Sequence, residues 1–418
     1  MEISQKRKWS IMALAIASFM LAGCGHLETP EEQSHASSDA ETLAASKTAE
    51  NASDISAFGG SAASQAAPVS DPSVSAASSE HQASAAVSSG TPSAGQASAD
   101  AFPGTPSAGQ PSDSADSFAA LHGALSVNGA NLTDQNGDPI QLYGMSTHGI
   151  AWFPQYVNYD SFRTLRDDWN TNCVRLALYS DEYNGYSSGG DQEELKNLVK
   201  NGIDYATDLG MYVIVDWHVL NDRDPNVHKE DAIAFFREIS SLYGDHTNIL
   251  YEICNEPNGY ATWDSVKSYA NEVIPVIREN DGDAVILVGT PTWSQDIDQA
   301  AASPLPFDNV MYTLHFYAAT HTDDLRSRLE TCANGGLPVF VSEFGMCDAS
   351  GNGGNNFDQA DKWMELLDKY NISFFCWNLA NKAETCCVLD PGCSKTSDWA
   401  ESDLSESGRW IREQFIAH

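Results

Sequence analysis

"ILYEICNEPNG", residues 249–259, is the stretch on which the reading of the fold turns. It begins as a short apolar run of the kind that forms a strand buried on both faces. Yet it holds two glutamates, Glu252 and Glu256, four residues apart. Burying a carboxylate is costly without a partner, so each needs a reason to be there. Similar runs recur on either side at intervals of roughly 26–38 residues: "IQLYGMS" (140–146), "CVRLALY" (173–179), "MYVIVDW" (211–217), "AVILVG" (284–289), "VMYTLHFY" (310–317), "PVFVSEFG" (338–345) and "SFFCWNL" (373–379). Amphipathic stretches such as 191–210 and 358–370 lie between them, and a hairpin-like segment with an Asn-Gly turn (125–140) leads in. Short apolar strands alternating with helices predict a parallel sheet. Eight such units in about 300 residues predict an α/β fold of the closed (β/α)8 TIM-barrel type rather than an open doubly wound sheet. No glycine-rich dinucleotide loop follows the first run.

The remainder of the chain has a different composition. Residues 1–24 carry a basic start (Lys6, Arg7, Lys8), a short apolar run and then Cys24. This is the pattern of a secretory signal. "LAGC" (21–24) resembles a bacterial lipobox, which implies lipid on the Cys24 thiol and a protein exported and held at the cell surface or outer membrane. Plain secretion is the alternative. Residues 25–120 hold no Trp or Tyr, 12 acidic residues against one Lys, and the repeat "GTPSAGQ" at 90–96 and 104–110. Such a segment buries too little apolar area to offset chain entropy, so it is expected to be a disordered linker, with the catalytic domain at 121–418. The formal net charge is −36, of which −27 falls on residues 121–418. That field excludes nucleic acid as a partner and favours a neutral or cationic substrate.

Active sites of such barrels lie at the C-terminal ends of the strands. The polar and aromatic residues there are His148, Arg175, His218, Asn255, Glu256, His315, Tyr317, Glu343 and Trp377, with nothing evident after the fifth run. Two carboxyls, Glu256 and Glu343, then project toward one cleft without a metal-ligand cluster. That pairing suits glycoside hydrolysis, in which one acid protonates the leaving oxygen and one carboxylate attacks. Arg175 and Tyr317 are expected to hold Glu343 ionised, and Trp377 offers a flat face for a sugar ring.

"NEP" (255–257), "SEFG" (342–345), "RLALY" (175–179), "DWH" (216–218), "LHFY" (314–317) and "CWNL" (376–379) together resemble the glycoside hydrolase family 5 cellulases, in the branch of bacterial endo-β-1,4-glucanases. The resemblance spans essentially all of residues 125–415. It implies a retaining mechanism with Glu256 as acid/base and Glu343 as nucleophile, and no cofactor. It also implies sugar contacts from Asn255, His148, His218 and His315, an aromatic platform at Trp152, and polar contacts from Tyr179, Lys382 and Glu384. A β-glucan chain is the expected substrate, with mixed-linkage glucan, xyloglucan, mannan or xylan as alternatives on the same machinery. A non-catalytic glycan-binding lipoprotein is the rival of another class, and a monomer is expected.

Glu252 shares the inward parity of Cys254 and Glu256 but lies two levels deeper, where it should pair with Arg175 or a histidine. Asp216 reads as an orienting neighbour. Of the eight cysteines beyond Cys24, Cys173 and Cys254 read as buried thiols. Cys347, Cys386, Cys387 and Cys393 are the ones expected to be bridged.

Overall fold

The computed structural model describes residues 117–418; the signal, the Cys24 lipidation motif and residues 25–116 of the linker lie outside the described residues, whereas the linker's expected last residues begin a helix, Phe118–His122, so the folded domain starts a few residues earlier than expected. Strands β1 (Ser126–Asn128) and β2 (Asn131–Thr133) form the expected hairpin. Gly129 takes the left-handed conformation at its tip, with φ of 62°. The eight barrel strands are β3 (Tyr143–Thr147), β4 (Cys173–Tyr179), β5 (Tyr212–His218), β6 (Ile249–Glu252), β7 (Val285–Val288), β8 (Val310–Tyr317), β9 (Val339–Gly345) and β10 (Phe374–Leu379). They close in the order β10-β3-β4-β5-β6-β7-β8-β9, every pair parallel.

Strand alternation divides the apolar residues into two cores. Along β5, Val213, Val215 and Trp217 face outward into the shell packed with helices. Tyr212 and Ile214 face inward and join Leu250, Leu287, Met311, Phe340 and Phe375 in a plug at the barrel bottom, which Leu125, Leu132 and Ile140 of the lead-in cover. Higher on the same inner face come Asp216 and then His218, so the interior turns from apolar to polar toward the C-terminal ends. The predicted helix at 191–210 spans Gln192–Asp208, started by the Asp191 carboxylate, which accepts from Glu193 and Glu194 N–H. The predicted helix at 358–370 spans Phe357–Lys369, capped by Asn356.

One register expectation fails, and the failure matters for the site. β6 ends at Glu252, and after Ile253, whose N–H still bonds Leu287 O, the chain leaves the regular strand register. Cys254 therefore does not face inward; its sulfur lies 3.9 Å from Gly289 O in the outer core. The bend fits because residue 289 is glycine: a Cβ there would stand 2.2 Å from Cys254 O. Freed from strict alternation, neighbouring Asn255 and Glu256 both reach the site.

Candidate active site

Arg175 organises the floor. It is fully buried, and four hydrogen bonds and an ion pair to Asp216 surround its guanidinium. Nε meets Glu252 at 2.7 Å, Nη1 meets Ser146 at 3.1 Å and Glu343 at 3.3 Å, and Nη2 meets Asn255 Oδ1 at 2.6 Å and Asp216 at 3.0 Å. A planar fork with five donors suits this task in a way a point-charge ammonium does not. Glu252 is thus the structural carboxylate of the opening stretch, as its depth in the barrel suggested. Its second oxygen accepts from Ser342 Oγ at 2.7 Å.

Four buried carboxyls (Asp216, Glu252, Glu256, Glu343) surround this single guanidinium, and the histidines do not make up the balance. Burial pushes His148 down to about 3 and His315 down to about 4, and holds His218 well below its ordinary value. The three rings are neutral, so protons must stay on some of the carboxyls. Glu256 is the one of the four without a bond to Arg175, and burial pushes it up to about 7, with Arg175 drawing it down and Glu252 raising it. Burial and the neighbouring Glu256 also raise Glu343, while the Arg175 charge pulls it down. When Glu256 keeps its proton, its share of that repulsion disappears. Tyr317 O–H then donates to Glu343 Oε1 at 2.8 Å and Arg175 holds Oε2, leaving Glu343 as the charged member.

The hydrogen bonds agree with this assignment. Ser342 donates its only proton to Glu252, so its oxygen accepts from His315 Nε2–H at 2.9 Å. Nδ1 of His315 is then the bare nitrogen and accepts the Glu256 proton at 2.9 Å. His218 is fixed in the same manner: Nδ1–H donates to Asp216 at 2.6 Å, and Nε2 accepts from Asn255 Nδ2 at 3.2 Å.

Above this floor is a cleft of about 630 Å³. His148, Trp152, Tyr179, His218, Glu256, His315, Tyr317, Glu343, Trp377, Lys382 and Glu384 all line it, bringing together eleven of the residues singled out from sequence. Arg175 and Asn255 do not line it. Both are completely buried beneath it, and the Asn255 amide is already bonded to Arg175, Val219 O and His218. In this structure they position their neighbours rather than face a ligand. Trp152 packs on Tyr179 with ring centroids 4.6 Å apart and donates its indole N–H to Tyr183 O. Trp377 stacks on His218, and Lys382 pairs with Glu384 at 2.6 Å. A cavity of similar volume, about 650 Å³, lies beside Val127, Leu305 and Pro338, but its lining holds no histidine, glutamate or tryptophan.

The structure corrects two expectations. The fifth barrel strand, β7, is not empty at its end: the loop after it brings Trp293 and Gln295 to the cleft. Thr292, Trp293 and Ser294 all have φ between 53° and 58°, a conformation that costs non-glycine residues about 1–2 kcal/mol each. Ser294 Oγ donating to Asn255 O at 2.6 Å and Trp293 N–H donating to Pro257 O help hold it. A tryptophan in the polar run "PTWSQD" was the available signal, and the structure leaves it 46% exposed. Glu182, Leu220 and His321, also on the cleft wall, gave none. Second, Cys347, Cys386, Cys387 and Cys393 are not bridged; all eight cysteines among the described residues are free and buried. The loops that were expected to need staples bury their thiols in the outer core instead.

Residues 133–383 match the family model described as cellulase (glycosyl hydrolase family 5). Endoglucanase A of Butyrivibrio fibrisolvens is 50% identical over 296 residues, covering 70% of this chain and 68% of that protein. An endoglucanase of Clostridium saccharobutylicum is 47% identical over 294 residues, covering 70% and 64%. The chain spans 57% to 69% of the length of such curated relatives. Among solved structures, the catalytic domain of a Thermobifida fusca endoglucanase in complex with cellotetraose superposes with a TM-score of 0.69 at 40% identity, covering 71% of this chain and 99% of that one. With a parallel barrel, a carboxyl pair at its mouth and this similarity across the barrel, the chain belongs to glycoside hydrolase family 5.

Proposed function

We propose that the protein is a retaining endo-β-1,4-glucanase that cuts internal bonds of cellulose and related soluble β-glucans. One observation carries the mechanism: a carboxylate oxygen of Glu256 and one of Glu343 lie within 4.8 Å of each other. Inverting pairs stand roughly 6.5–9.5 Å apart to admit a water, whereas retaining pairs stand about 5–5.5 Å apart. Glu256, which keeps its proton, protonates the glycosidic oxygen while Glu343 attacks the anomeric carbon. The same Glu256, now a carboxylate, takes a proton from the water that releases the covalent intermediate. An internal cut is supported by the shape of the cleft. Trp152 follows β3 and Trp293 follows β7, and these strands are four places apart in a ring of eight. A sugar chain can therefore run across the barrel mouth, stacked on both sides of the catalytic pair.

The test is hydrolysis of a panel of soluble β-1,4-glucan, mixed-linkage glucan, mannan and xylan, with the anomer of the first-formed product read by NMR. The expected result is preference for the β-1,4-glucan and a β-anomeric product. An α product overturns the retaining mechanism, and preference for mannan or xylan overturns the substrate while leaving the mechanism.

The pH dependence follows from Glu256. Because its carboxyl is raised to about 7 and the first step needs its proton, kcat/KM is expected to fall as pH rises through about 7. Glu256→Gln should remove that limb from the residual kcat/KM measured on the same β-glucan. A limb that survives in the variant belongs to another group.

We also propose that the mature protein is lipid-anchored through Cys24 at the surface of the exporting cell. The "LAGC" sequence after a basic and apolar leader supports this. Cys24→Ser is expected to move activity from the membrane to the soluble fraction; retention on the membrane contradicts the anchor.

A further inference from the structure

Behind one wall of the cleft, and reaching it only at Cys386, lies a group of sulfur atoms that the hydrolytic mechanism does not use. Cys386 and Cys387 are adjacent in the loop after β10, and Cys347 stands in the loop after β9, its side chain near enough to that of Cys386 to push the Cys386 thiol up. One donor atom each from Glu384, Cys386 and Cys387 lie within 4.8 Å of one another. Both sulfurs face the same carboxamide: Asn378 Nδ2 donates to Cys386 Sγ at 3.6 Å, and Cys387 S–H donates to Asn378 Oδ1 at 3.4 Å. Two thiolates bound to zinc at about 2.3 Å in a tetrahedral site stand about 3.8 Å apart, so these donors need only small movements to share an ion. Cys386 itself lines the cleft, which gives a path in from solvent.

We propose that Glu384, Cys386 and Cys387, with Cys347 beside them, bind a thiophilic divalent cation of the zinc or cadmium class, and that its occupation inhibits the enzyme reversibly. Sulfur donors select such ions over magnesium or calcium, which take oxygen ligands. Each thiol that bonds the cation releases its proton to solvent. The Asn378 N–H already directed at Cys386 is the outer-sphere hydrogen bond a metal thiolate requires. Inhibition arises because Glu384 is drawn from Lys382 to the cation, disturbing the polar wall of the cleft. This last step rests on the proposed role of that wall in sugar binding, whereas binding of the cation does not.

The two are separated by titrating the reduced full-length protein with cadmium while recording the ultraviolet thiolate-to-metal charge-transfer band and hydrolysis of soluble β-glucan. One equivalent is expected to produce the band, hydrolysis to fall by tenfold or more, and EDTA to restore it. Cys386→Ser/Cys387→Ser should abolish the band, and Cys173→Ser, in the inner core, should leave it. Should the double variant fold poorly, Glu384→Ala, a half-buried position, is expected to keep the band and weaken binding by roughly tenfold or more. A band that persists in the folded double variant, unchanged affinity in Glu384→Ala, or a native disulfide at Cys386 found by mass spectrometry overturns the site. A band without inhibition keeps the site and overturns the inhibition.

Discussion

Glu343→Gln is expected to lower kcat on a soluble β-1,4-glucan by roughly 10⁴–10⁶-fold, the scale seen when a nucleophile is removed from machinery that acts as a unit. The fold should be little affected. The amide can turn its oxygen to accept from Arg175 Nη1 and donate its N–H to Tyr317 Oη, so both contacts survive and only the charge toward Arg175 is lost. Circular dichroism and substrate binding are therefore expected to match wild type, placing the loss in kcat rather than KM. Glu343→Ala makes a sharper version of the same experiment, because the space it opens admits a small anion. Azide with an activated aryl β-glycoside should then give a glycosyl azide of α configuration. Residual hydrolysis within tenfold of wild type removes Glu343 as the nucleophile.

Arg175→Ala carries the second large effect, and here the loss is in stability as well as activity. Removing one partner of a buried ion pair typically costs about 3–5 kcal/mol, because the remaining charges stay in the interior unpaired. Arg175 is shared by Glu252, Asp216 and Glu343, so the upper part of that range is expected. Denaturant unfolding should show a lower midpoint with an unchanged slope. Activity should fall at the same time, since Asn255 and Glu343 both lose the group that orients them. Arg175→Lys is not a rescue. A single ammonium cannot reach acceptors spread from Ser146 to Asp216, and it gives up the fork geometry. A midpoint unchanged in Arg175→Ala means that the floor does not depend on this charge.

These two variants mark the boundary between what was legible along the chain and what was not. The eight strands, most of their bounds and the pair Glu256 and Glu343 follow from local properties: apolar runs of strand length, helical periodicity between them, and polar residues where each run ends. Such signals survive in a single sequence because they depend on chain geometry within a few residues. The depth of Glu252 was legible for the same reason, since strand alternation is a local rule. It failed two residues later, where β6 ends and Cys254 turns outward; a strand's end is set by its neighbours across the sheet, here Gly289.

What only the tertiary structure decided are the relations between distant segments. Asn255 was expected to touch the sugar and instead lies buried under the cleft beside Arg175, because barrel closure places His218, Glu252 and Glu343 around them. Trp293 reaches the cleft through a run of left-handed backbone held by contacts to Asn255 and Pro257, from a strand whose end looked empty. The resemblance already gave Glu256 the acid/base role, but the physical cause that keeps its proton there belongs here too. Both glutamates stand at strand ends in the sequence, and only the direction of one guanidinium distinguishes them. Residue types and local periodicity set the fold and the cast of the site. Burial, bond direction and protonation depend on atoms far apart in the chain, and closing the barrel assigns them.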